Sequence, residues 1–149
     1  MKKVVPILFV LLLISVTGCS QKTEYFTPES HATGLSALKT IDQYLAGEIE
    51  GDEAKEKLDR FYDTLEIYAD DIYSDSQLAS SNIDNFIASI SLDSVSLRCF
   101  SASIKISSIE QHPNDASEEI EELIDIRNEM KGWLEDPEAM WEQLKQSEE

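Results

Sequence analysis

From Asp52 to His112 the chain runs for 61 residues without a glycine or a proline. Tight β-hairpins are closed by residues that accept left-handed backbone, chiefly Asn-Gly, Asp-Gly and Gly-Gly pairs, so a strand meander has nowhere to turn inside that span. Long helices need no such residues. The nearest breakers sit at its edges, with Gly47 and Gly51 before it and Pro113 after it.

The stretch ISLDSVSLRCFSASIKIS, Ile90 to Ser107, tests this reading because its local alternation of apolar and polar residues resembles a strand. A repeat of seven describes it over a longer range. Ile83, Ile90, Leu97 and Ile104 occupy one position, with Ile87, Ser94, Ser101 and Ser108 interleaved. A second stripe, Leu92, Val95, Cys99, Ala102, Ile106 and Ile109, also steps by three and four. At 100° per residue the stripes lie about 130° apart, which predicts a central helix packed on two sides with Ser89, Ser96 and Ser103 pointing outward. Serines on the first seam let a neighbour approach closely, because each hydroxyl can bond the carbonyl one turn back.

The flanking segments complete a bundle. Thr27-Pro28-Glu29 has the form of a helix start, with a hydroxyl cap, proline at the first position and an acid in the first turn. Leu35, Leu38, Ile41 and Leu45 then mark one face. A second helix from near Asp52 carries Leu58, Phe61, Leu65, Tyr68 and Ile72, the seam of an antiparallel pair. Ser74 and Gln77 form a capping-box pattern that predicts a break there. His112-Pro113 ends the central helix, Asp115 and Glu118 restart the chain as an acidic cap, and Ile120, Leu123, Arg127, Met130 and Leu134 make the next seam. Asp136-Pro137-Glu138 opens a last short helix with Met140, Trp141 and Leu144, and Trp133 and Trp141 close the end of the bundle. The predicted fold is all-α: about four helices plus a short C-terminal helix.

The N-terminus is of another kind. Lys2 and Lys3 precede an apolar run, Val4 to Val16, that is short for a bilayer span and has the form of a secretion signal. It ends in Val16-Thr17-Gly18-Cys19, which resembles the lipobox of bacterial lipoproteins: a branched residue, two small residues, then the obligatory cysteine. The resemblance covers these first residues only. It implies cleavage before Cys19 and acylation of Cys19 as the new N-terminus. Residues 1–18 are then a signal peptide, 19–27 a lipidated tether, and 28–149 an acidic helical domain. It also implies a lipid-anchored location on the extracytoplasmic face of the cell membrane, and Ser20 is compatible with export to the outer membrane in a Gram-negative envelope.

Charge narrows the partners. The full chain carries 30 acids against 12 basic residues, and Lys2 and Lys3 leave with the signal, so the mature chain has a net charge of −20. Nucleic acid and anionic headgroups repel such a surface, which leaves the covalent lipid as the expected membrane contact. Ser20 to Thr27, fully extended, reach at most about 28 Å, so a partner is expected among envelope proteins.

Motifs of chemistry are weak. Asp70-Asp71-Ile72-Tyr73-Ser74-Asp75 spaces its third acid one place too far for an aspartate-rich magnesium motif, and the acids of Glu118 to Asp125 read as a solvated helix face. His31 and His112 lack an acid at the spacing that di-iron bundles use. Cys99, on an apolar stripe, is expected to be a buried hydrophobe rather than a nucleophile. The expectation is therefore a non-enzymatic interaction module with no catalytic residue, metal or cofactor. The alternative is a small-ligand or cation site between helices, lined by Tyr62, Tyr68 and Tyr73 or by acids near Asp70.

Overall fold

The computed structural model describes residues 25–78 and 83–146, with the side chains of 74–87, 144 and 145 left aside. These residues form five α-helices: α1 (Pro28–Leu45), α2 (Gly51–Leu78), α3 (Ile83–Gln111), α4 (Ser117–Glu135) and α5 (Pro137–Gln146), with a 3₁₀ turn at Pro113–Asp115. The chain is a small all-α bundle. Its first four helices run up, down, up and down in a ring, with α1 packed on both α2 and α4, and α2 and α3 sharing the most extensive interface.

Local chemistry explains most boundaries. Thr27 caps α1, its Oγ1 accepting the Ser30 amide at 3.1 Å, and Pro28 follows it. Beyond Leu45 the chain turns through Gly47, whose φ of +69° suits glycine. Gly51 opens α2 where a Cβ would meet the Glu110 side chain, with Cγ at 2.4 Å, so a larger residue there would have to displace that glutamate. Asp136 caps α5 by accepting the Ala139 amide at 3.1 Å. Two expected signals are not used. Helix α2 continues through Ser74 to Leu78, so the capping-box pattern does not end it; its unbroken ladder outweighs a local cap. At α4 the cap position is Ala116 with no side-chain bond, while Asp115 belongs to the 3₁₀ turn. The α3 helix, by contrast, is continuous over 29 residues and stops before Pro113 as expected.

The core is built from Ile41, Leu58, Leu65, Leu92, Val95, Cys99, Ile106, Leu123 and Met130, all fully buried. Two seams shift from expectation. In α1 Leu35 is exposed and the packed face runs through Ser30, Gly34, Ala37 and Ile41, because the absence of a side chain at Gly34 lets α1 press against Leu134. In α4 Ile126 and Trp133 join Leu123, Met130 and Leu134, while Ile120 faces solvent. Arg127 lies on the flank instead, where its Nε and Nη2 donate to Asp42 at 2.7 and 3.3 Å and clamp α4 to α1. Trp133 is buried, its Nε1 donating to Gln143, and Trp141 is half-buried.

Candidate functional site

Helix α3 decides what the surface offers. Its Leu92–Val95–Cys99–Ala102–Ile106 stripe is wholly buried, as the heptad reading predicts. The other stripe is not a packing seam: Leu97 is 56% exposed and Ile104 50% exposed. The serines expected to point outward, Ser89, Ser96 and Ser103, are buried together with Ser91. Physically, α3 touches α2 and α4 across a single broad arc centred on Cys99. Ser89, Ser96 and Ser103 lie on the side of that arc where Ser103 meets Asp59 of α2, their small size letting α2 close over them, and the Ile90, Leu97 and Ile104 row falls opposite.

Phe100, 46% exposed, joins Leu97 and Ile104 by leaning over Tyr62 of α2 at a ring separation of 5.5 Å. Between these two helices an open groove of about 540 Å³ is lined by Tyr62, Phe100, Ile104 and Ser107, with Lys55 and Asp59 among its polar groups. Ser103 donates to Asp59 Oδ1 at 2.5 Å, and Lys55 bonds Asp59 Oδ2 at 3.1 Å. Burial alone would raise the Asp59 carboxyl, but these hydrogen bonds and the Lys55 charge hold it below the ordinary range. Of the three tyrosines expected to line a pocket, Tyr62 lines this groove, while Tyr68 packs against the core and Tyr73 is exposed.

Acids collect at the distal end of this face. The Tyr62 hydroxyl donates to Glu66, and Asp93 lies within the field of Asp70 and Glu66. Partial burial, then these two like charges, push the Asp93 carboxyl above its usual range. An acid with a raised folded-state pKa opposes folding while ionised, and the opposition is relieved as pH falls through that value. Asp93→Asn is therefore expected to raise stability at pH 7 by a solvent-screened amount, roughly 0.5 kcal/mol or less. Melts of both proteins should converge as pH is lowered through the carboxylate range.

The other candidate residues stay apart. Cys99 is a free, fully buried thiol, and burial pushes its pKa up to about 12. His31 bonds the Leu134 carbonyl at 3.0 Å, joining α1 to α4, and His112 sits exposed past the end of α3. Asp70 and Asp71 are exposed, and among the described residues no three His, Cys, Asp or Glu side chains gather as metal ligands. Cys19 lies outside the described residues, within which no helix is long and apolar enough to cross a membrane. Sequence reasoning treated the Leu97 and Ile104 row as core and so missed it as surface; the signal was present in the stripe separation, which leaves a second face to be covered only if a neighbour exists. No protein family, curated protein or solved structure matches the chain.

Proposed function

We propose that the chain is a lipid-anchored extracytoplasmic protein whose helical domain works as an interaction module for an envelope protein, without chemistry of its own. The observation that carries the interaction is the outer face of α3, where Leu97, Phe100 and Ile104 each leave about half their surface in water. Soluble surfaces expose single apolar residues freely, whereas a contiguous row on one helix is the usual mark of a binding face. The anchoring rests on Val16-Thr17-Gly18-Cys19 and its resemblance to a lipobox. Two or three acyl chains, at about 0.8 kcal/mol per buried methylene, hold a protein on a bilayer where one chain does not.

Both parts are open to test in cells. Cys19→Ala is expected to abolish fatty-acid labelling and to shift the protein from the membrane to the soluble fraction; unchanged partitioning rejects the anchor. Photo-crosslinkers placed in turn on each exposed helix face of the anchored protein are expected to give discrete protein adducts. Their absence from every face rejects the module.

The groove beside α2 supports a second reading, a small ligand held between Tyr62 and Phe100 with Asp59 and Lys55 as its polar groups. A ligand of that kind stabilises the folded state by mass action, so a thermal-shift screen separates the two readings.

A further inference from the structure

The row on α3 has a defined shape and a defined electrostatic frame. Leu97, Phe100 and Ile104 follow the i, i+3, i+7 spacing by which one helix presents anchors to another. Ser94 and Ser101 lie in the same row, and their hydroxyls donate to the Ile90 and Leu97 carbonyls at 2.9 Å. Those serines are small and internally satisfied, so they let a visiting backbone come close without stranding a polar group. From Ile90 to Ile104 the row is about 21 Å long at 1.5 Å per residue, the length of four helical turns.

Acid borders it on both sides. Toward α2 stand Asp59, Asp63, Glu66 and Asp70, with Asp93 at the rim of α3 itself. Toward α4 stand Glu118, Glu119, Glu122 and Glu129, which face Lys105, Ser108 and Arg98. The cations along the same face, Lys55, Arg98 and Lys105, are already paired with Asp59, Glu129 and Glu122. The frame is thus negative on both edges of an apolar strip.

We infer that the outer face of α3 docks a basic amphipathic helix of about four turns, its apolar side seated on Leu97, Phe100 and Ile104 and its lysines or arginines reaching the acidic rows of α2 and α4. The inference rests on the interaction-module reading and names its surface and its partner's chemistry. A second copy of the chain would bring its own acids against these acids, and an anionic bilayer would be repelled for the same reason. A basic helix meets both demands, apolar contact for residence and opposite charge for encounter.

The test uses the full lipidated chain in dodecyl maltoside, with protein-free micelles as the blank. The probe is a fluorescent 18-residue leucine and lysine peptide with one apolar face, compared with a scrambled peptide of equal composition and charge that has none. Anisotropy titrations are expected to show saturable binding of the amphipathic probe at least about tenfold tighter than the scramble, weakening with salt. The double variant Leu97→Ser/Ile104→Ser keeps every charge and changes only exposed side chains. It is expected to lose that tenfold preference while melting like the parent. Equal binding of the two peptides, or a preference surviving in the double variant, overturns the inference. So does a dimer in sedimentation velocity that the double variant abolishes, since the face would then belong to a second copy. A failure here with crosslinked adducts on another face moves the binding surface and leaves the module standing; no adduct on any face removes the module itself.

Discussion

Val95→Asp is expected to destroy cooperative folding, whereas Leu97→Asp, two residues along the same helix, is expected to leave it intact. Val95 is fully buried beside Leu92 and Cys99 in the arc that faces α2 and α4, within a cluster of apolar side chains. A carboxylate there loses water and gains no hydrogen bond, at a cost of about 4 kcal/mol or more. A domain of this size has only about 5–15 kcal/mol to lose. Leu97 already leaves more than half its surface in water, so its replacement should fall within about 0.5 kcal/mol. Circular dichroism melts of the two variants decide the matter. Equal damage from both would place the Leu97 row in a packed interface and remove the binding face.

The second large effect concerns Cys99. Its thiol is buried and its pKa pushed up to about 12, so attack by a thiolate requires the helix to open first. Alkylation by iodoacetamide at pH 8, followed by mass spectrometry of the Cys99 peptide, should run at least about a thousandfold slower in the native protein than in denaturant. A native rate near the denatured one would mean a solvent path to the sulfur, and would reopen a reactive role for Cys99. The contrast with Cys19 is testable in the same digest, because the proposed thioether at Cys19 accepts no reagent in either state.

Much of the architecture was legible because spacing and breakers are local properties. The glycine- and proline-free span foretold long helices, Thr27-Pro28 and Asp136-Pro137 foretold two starts, and the Leu92 to Ile109 stripe foretold the buried side of α3. What failed depended on neighbours. Periodicity separates two apolar rows on α3 but carries no information on how many helices are available to cover them, and among the described residues one arc is covered. Leu35 and Ile120 failed for a related reason: Gly34 and Ile126 shift the line of closest approach, and that line is set jointly by two helices. Ser74-Gln77 had the form of a cap, yet a cap competes with continued helix, and the pairing of α2 with α3 favours continuation. The outer row of α3 was legible only in the sense that its residues were apolar; its exposure became visible once the packing was known. Cys19, the one modification site expected from the sequence, lies outside the described residues and rests on the resemblance alone.

The ring order of the helices has a mechanical consequence. The chain enters α1 at Thr27, and α1 is antiparallel to α4, with His31 against Leu134 at one end and Asp42 against Arg127 at the other. Tension applied along the α1 axis from its N-terminal end would slide α1 against α2 and α4. The Gly34 contact with Leu134, the His31 bond and the Arg127 clamp are loaded together in shear, whereas a pull across the bundle would peel them one after another. A partner seated on α3 would hold the far wall of the ring while α1 is drawn along its own axis, so the load would pass between them through the core. Under sustained load such a domain fails at a rate set by its unfolding barrier, and the shear arrangement makes many contacts share that barrier.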